Sequence, residues 1–277
     1  MKILSKTRAE LQKAARWDID FHLPAEGIKR FSKDLLKRVD QVAIIAKDKR
    51  DPGKKPEETF QYIDISAVDV QVGAIVNQQD VEGVDAPSRA RKVVRAYDLL
   101  VSTCRPTRGA VAVVPRELHN QIASTGFSVV RPKKGINPYY LQFALRLSST
   151  MEQFRKWSTG SSYPAILDED VAKTLIPMPE PAEQDRIASL LVNAFSARDR
   201  EIRKANLAWE NTLEEITSDL SLTESNASDL IPAGDGEDSV ALSSNPYTVD
   251  EITAIIDGLP VLETDKSATD ILDFEDI

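Results

Sequence analysis

The chain has 277 residues, 42% apolar and only 6% aromatic, enough for one large or two small cores. Its net charge of −9, taken as one number, speaks against a nucleic-acid binder. The charge is uneven, however. Residues 221–277 hold fourteen acids and one base, Lys266, a net of −13. The first 220 residues hold the remaining 34 bases and 30 acids, a net of +4, so a mildly basic body precedes an acidic tail and points to a polyanionic partner.

In chain order, residues 5–16 read as a short helix, capped by Ser5 or Thr7 and apolar along Leu11, Ala14 and Ala15. A second helix is predicted over 26–39 from the spacing of Ile28, Phe31, Leu35 and Val39. The period then changes. Residues 61–65 and 68–73 alternate apolar and polar as half-buried strands do. Short β-rich runs follow at 93–94, 99–101, 110–114 and 127–131, punctuated by Pro87, Pro106, Gly109 and Pro115. Helical spacing returns over 138–157 with Leu141, Ala144, Leu145, Met151, Phe154 and Trp157. These elements define an α+β domain over residues 1–180, built on a twisted, mostly antiparallel sheet.

From Glu183 to Leu220 there is neither Pro nor Gly. Ile187, Leu191, Ala194, Arg198, Ile202, Ala205, Trp209, Leu213, Ile216 and Leu220 step by threes and fours, averaging about 3.67 residues, the period of a nearly straight helix. A helix is predicted over 181–220, and its 38 residues from Glu183 to Leu220 would alone be roughly 57 Å long, more than a small domain needs for its own core. Its face of Ile187, Leu191, Ala194, Ile202, Ala205, Trp209, Leu213 and Ile216 is predicted to pack along another helix. Residues 221–277 read as an acidic, largely disordered tail. Within it, Val249, Ile252, Ile255, Ile256 and Leu259 share one face and predict a short helix at 248–258. The tail admits three readings: a solubilising end, a competitor for the basic face, or a short helix that docks a partner.

Enzyme signatures fail. No glycine-rich loop is present to cradle a dinucleotide or triphosphate, and there is no nucleophile elbow. His22 and His119, the only imidazoles, have no carboxylate or cysteine pattern around them and read as structural. Asn137-Pro138-Tyr139 and Asn245-Pro246-Tyr247 lack the second proline of the amino-methyltransferase motif and read as turns. Cys104, the lone cysteine, excludes a disulfide framework and reads as buried filler. No catalytic or metal site is expected. No apolar run reaches the ~20 residues of a membrane span, and the first six residues lack a signal-peptide core, so a soluble cytoplasmic protein is expected. What remains is cations and hydroxyls on loops: Ser88, Arg89, Arg91 and Lys92; Arg105 and Arg108; Ser161, Ser162 and Tyr163. Such groups suit phosphate oxygens, and an Arg fork can read a guanine edge.

Six segments occur in this order along the chain: Tyr62-Ile63-Asp64-Ile65-Ser66, Ala86-Pro87-Ser88-Arg89-Ala90-Arg91, Asp98 through Pro106, Ser124-Thr125-Gly126-Phe127, Gly160 through Pro164, and Ile176-Pro177-Met178-Pro179-x-Pro181-x-Glu183-Gln184-x-x-Ile187. The series resembles the specificity subunit of type I restriction–modification systems. The resemblance implies a non-catalytic subunit whose target recognition domain reads one half of a split DNA site. It implies as partners double-stranded DNA, an adenine-N6 methyltransferase subunit that carries S-adenosylmethionine, and, where cleavage occurs, a restriction subunit. Full-length members have two recognition domains and two antiparallel helices, whereas this sequence has one of each. It therefore looks like a half-size form, and a homodimer with antiparallel helices would rebuild the whole and read a symmetric, interrupted target. The residues shared across the family are expected to fix the fold or hold phosphates, and base reading is expected from 47–58 or 131–137. The alternatives are a stand-alone DNA-binding decoy or regulator and, opposed by the missing motifs, an enzyme in its own right.

Overall fold

A computed structural model describes residues 4–14, 16–160, 162–219 and 248–260. The chain opens with two short helices, α1 (Arg8–Ala14) and α2 (Ile19–His22). The helix predicted over 26–39 is absent. In its place two 3-10 turns lead into strand β1 (Leu36–Arg38) and the single turn α3 (Val39–Val42). The reason lies far along the chain: residues 36–38 pair with 175–177, and that ladder takes up the backbone groups a helix would have satisfied internally.

Strands β2 (Ala43–Ala46), β3 (Thr59–Ile63), β4 (Val68–Asp69), β5 (Ala74–Ile75) and β6 (Gln79–Glu82) follow. The strand predicted to run to residue 73 stops at Asp69. The chain turns there through Gly73, whose N–H donates to the Asp69 carbonyl at 2.7 Å with φ at +76°. A Cβ at Gly73 would lie 2.5 Å from the Val111 carbonyl oxygen, so only glycine fits. Then come β7 (Ala90–Val93), β8 (Leu99–Ser102), β9 (Val111–Val113), β10 (Ile122–Ser124) and β11 (Phe127–Pro132).

The mostly antiparallel β-structure expected from the sequence is present and, apart from two two-stranded pairs, forms two four-stranded sheets. One has the order β6-β3-β10-β7 and the other β2-β11-β8-β9, and only β3–β10 pairs in parallel. Ile63, Val94, Leu100, Ala112, Phe127 and Val129 fill the space between them. The other face of the second sheet presents Leu99, Val101, Val111 and Val130 to a helical layer. A strand covered on both faces has no polar side to show, which is why Leu99-Leu100-Val101 is an unbroken apolar run.

That layer contains α4 (Pro138–Arg146) and α5 (Ser148–Trp157), where the sequence predicts one helix. They break at Leu147, which adopts an extended ψ of 147°. The Thr150 hydroxyl donates to the Ala144 carbonyl at 2.8 Å and closes the first helix as the second begins. Asn137 is an N-cap, not a plain turn residue: its side-chain oxygen accepts from the Tyr139 and Tyr140 amides at 3.0 and 3.2 Å. Helix α6 (Asp168–Lys173) and strand β12 (Leu175–Pro177), the partner of β1, close the domain.

Helix α7 spans Pro181–Asp219. Its first turns belong to the domain: Ala188 and Val192 are 2% exposed, and Ile187 packs beside them. The Arg198 side chain still reaches Gln71 at 3.0 Å. From Arg200 to Thr212 every residue is exposed. The short helix predicted in the tail is α8 (Val249–Asp257), and it packs on the domain itself, with Ile252 3% exposed in the helical core. Residues 220–247 and 261–277, including Asn245-Pro246-Tyr247, lie outside the described residues. Among the described residues no helix is long and apolar enough to cross a membrane.

Candidate nucleic-acid interface

Five of the six segments, scattered over a hundred residues, meet at one end of the domain. The Arg89 carbonyl accepts from the Thr125 amide at 2.9 Å. The Gly126 carbonyl accepts from both the amide and the hydroxyl of Thr103, each at 2.9 Å. The Arg105 amide donates to the Pro164 carbonyl at 2.7 Å. Gly126 is held against Ile65, whose Cδ1 lies 2.8 Å from where a Cβ would be, so a larger residue would require the Ile65 side chain to shift. Tyr62 is buried in the same region, and burial raises its phenol pKa above the ordinary value. Backbone-to-backbone bonds of this kind fix loops without using their side chains, which leaves the side chains to face outward.

The outward side chains are cationic. Arg89 and Arg108 are exposed and make no ion pair among the described residues. Arg105 sits in the left-handed backbone region at φ +47°, an unusual place for a side chain, held there by the Pro164 bond. Its guanidinium lies 4.7 Å above the ring of Tyr163, which is itself 76% exposed, so the pair offers a flat, cationic, stacked surface. Ser88 and Ser162 are exposed beside these groups, and Ser161 lies outside the described residues. Cys104 is exposed in the same loop, not buried as expected, because the strand ends at Ser102 and the chain turns outward.

Two of the predicted contacts are otherwise engaged. Arg91 lies 3.5 Å from the Asp51 carboxylate and donates to the Ala90 carbonyl at 2.9 Å. Lys92 is mostly buried, 3.5 Å from Asp168. They tie β7 to its neighbours. The two segments expected to read bases differ as well. In 131–137, Lys133 donates to the carbonyls of Asp40 and Gln41, and Arg131 is held inside the protein. In 47–58, Lys47 is exposed, Lys55 pairs with Glu58, and Arg50 donates to the Asn120 carbonyl at 2.7 Å. Burial lowers the Arg50 pKa, although Glu58 opposes the shift.

The network around Arg131 escapes a reading of the sequence. Its guanidinium grips Asp98 with two bonds of 2.8 Å and reaches Asp48 at 2.9 Å, while the Arg95 amide donates to Asp98 at 2.9 Å. Asp98 is 1% exposed. Burial works against the charge on Arg131, but Asp98 and then Asp48 overcome it and hold its pKa above the ordinary value. The one available signal was a lone carboxylate at the head of an apolar strand. The sixth segment builds the junction with α7. Gln184 donates to the Pro179 carbonyl at 2.8 Å and accepts from the Asn137 amide at 3.1 Å, while the Tyr140 hydroxyl donates to the Pro177 carbonyl at 2.7 Å. Burial pushes the Tyr140 pKa up to about 12. Among the described residues no group of three or more His, Cys, Asp or Glu is placed to hold a metal ion.

The described residues thus form two packed four-stranded sheets, a rim of interlocked loops bearing arginines, and a helix that outruns its own core. Residues 35–206 match the model of the type I restriction modification DNA specificity domain, and the chain belongs to that family. It is 38% identical to the HsdS subunit from Thermoanaerobacter tengcongensis over 66% of this chain and 47% of that one, with a TM-score of 0.54. A chain from a structure describing complex assembly and conformational transition of the type I R-M system is also 38% identical, covering 68% of this chain and 48% of that one, with a TM-score of 0.53. The type I restriction enzyme HindI specificity subunit of Haemophilus influenzae is 29% identical over 139 residues, 49% of this chain and 29% of that protein. The chain thus spans less than half the length of these relatives.

Proposed function

We propose that the chain is the DNA-reading, non-catalytic specificity subunit of a type I restriction–modification complex, contributing one recognition domain. The observation that carries this reading is the convergence of five of the six segments on one rim that presents Arg89, Arg105 and Arg108. Family members read different sequences, so a rim they share serves best as a phosphate clamp that sets orientation. Base discrimination then falls to less shared segments such as 47–58.

The exposed stretch of α7 supports the rest of the reading. Ile202, Ala205, Trp209, Leu213 and Ile216 lie on one face with no cover from the domain. Two copies pairing antiparallel along this face would set two rims at a fixed separation, suited to a split, two-fold symmetric target. The same paired helices would dock the adenine-N6 methyltransferase, which supplies S-adenosylmethionine and the chemistry, and a restriction subunit where cleavage follows. Light scattering on the chain alone and with its methyltransferase tests this. A dimer that gains methyltransferase subunits is the expected result. A monomer that ignores the methyltransferase overturns the complex and moves the function to a stand-alone decoy or regulator.

A further inference from the structure

The α8 docking site lies at the wrong end of α7 for the chain that carries it. The Val249 amide donates to Asp185 at 3.2 Å, in the first turns of α7. Ile252, Ile255 and Leu259 pack on the helical core. At the far end of α8, the Pro260 carbonyl lies 3.0 Å from His119 Nε2 and accepts from the Asn120 side-chain amide at 3.2 Å. Because His119 Nδ1 accepts from the Ala96 amide at 3.1 Å, Nε2 carries the proton and donates to Pro260. The surface is a fitted seat for α8, made of side-chain and backbone partners at both ends.

The polypeptide leaves α7 at Asp219, 34 residues beyond Asp185, which is about 51 Å along the axis. From Asp219 to the Thr248 cap there are 29 residues. A chain of that length reaches roughly 100 Å fully extended but only about 30 Å r.m.s. when unstructured. Closing α8 onto its own domain therefore requires running back along most of α7, well beyond the r.m.s. reach.

An antiparallel partner removes that demand. If two α7 helices cross at Trp209, Asp219 stands level with Asp199 of the partner subunit. It is then about 21 Å along the axis and one helix spacing of about 9 Å from Asp185 of the partner subunit, roughly 23 Å in all. For an unstructured chain, that shorter span raises the local concentration of α8 at the seat on the order of tens-fold over its own domain. We infer that α8 is exchanged: each copy seats its tail helix on the domain of the other, locking the pair at both ends of the helical spacer. This rests on the pairing proposed above, and goes beyond it by assigning the seat formed by Asp185, Ile136, Tyr97 and His119 to a second copy of the chain.

Lys134 and Asp257 line the same cleft between the domain and α8, on the surface, and can be linked when both are cysteine. Two full-length chains are co-expressed with different tags, both carrying Cys104→Ser, one with Lys134→Cys and the other with Asp257→Cys. They are purified through both tags and treated with a short bismaleimide. The expected result is a covalent dimer on a denaturing gel in most of the mixed pairs. A chain carrying both substitutions, treated alone, separates the outcomes when its mass is measured by light scattering. A dimer with only internal links overturns the exchange and leaves the pairing standing. A monomer overturns both, and the absence of either link overturns the seat itself.

Discussion

Val192 and Trp209 lie on one helix and in one apolar pattern, yet their surroundings are opposite. Val192 is 2% exposed against the domain, and Trp209 is 57% exposed beyond it. The inner turns of α7 are part of the fold: Ala188 and Val192 are buried with α4, and Gln184 bonds both the loop before α4 and the proline run. The outer turns have the same spacing with no surface to meet. A domain satisfied at its inner end has no reason of its own to keep an apolar stripe for a further 20 or so residues. The difference marks where the core of the domain ends along α7.

Substitutions on the two sides of that boundary should behave differently. The largest effect belongs to the interior. Asp98→Asn removes the carboxylate that Arg131 grips and strands part of a buried charge, with an expected loss of about 3–5 kcal/mol in urea unfolding. At the inner end of α7, Val192→Ala should cost roughly 1–2 kcal/mol in the same assay, because it deletes two buried methyl groups. Outside the boundary, Trp209→Glu should leave the unfolding midpoint of the domain within about 0.5 kcal/mol and shift the mass in light scattering from dimer to monomer. A loss of stability equal to that of Val192→Ala would erase the distinction. On the rim, Arg108→Ala should change neither stability nor mass but weaken binding to all duplexes alike, lowering the slope of log K against log salt by about 1.

The smallest effect is a pH dependence. The Glu152 carboxylate accepts the Gly27 and Glu26 amides at 2.9 Å each, and these bonds hold its pKa below the ordinary value. A lowered folded pKa means the stabilisation is complete above the ordinary carboxylate pKa and is lost as pH falls through the folded one. Glu152→Gln should therefore be slightly less stable than the parent at pH 7. The two should converge as the pH falls below about 4.

Much of this was legible because it was local. The long helix follows from a stretch without Pro or Gly. The tail helix follows from the shared face of Val249, Ile252, Ile255, Ile256 and Leu259, to which the structure adds a Thr248–Glu251 capping box, and the apolar run Leu99-Leu100-Val101 announces a buried strand. What failed depended on distant partners. Leu36–Arg38 is a strand because of residues 175–177, and helix spacing in 26–39 carried no trace of that ladder. The Asp98–Arg131 pair, 33 residues apart, belongs to neighbouring strands whose register only the sheet sets. The candidate rim could be proposed as a set of residues but not as a place. Arg89, Arg105 and Arg108 could be named from their loops, but their meeting depends on Thr125, Gly126, Thr103 and Pro164 closing those loops together. The same contacts distinguish Arg89 and Arg108, which face outward, from Arg91 and Lys92, which hold β7.

The most direct test of the account is selection of duplexes from a random-sequence pool by the chain together with the methyltransferase proposed as its partner, followed by sequencing of the retained DNA. The predicted result is an interrupted sequence with two-fold symmetry, each half read by one rim and the gap set by the paired α7 helices. Enrichment of a single, unbroken, asymmetric sequence, or no enrichment over the starting pool, would contradict it.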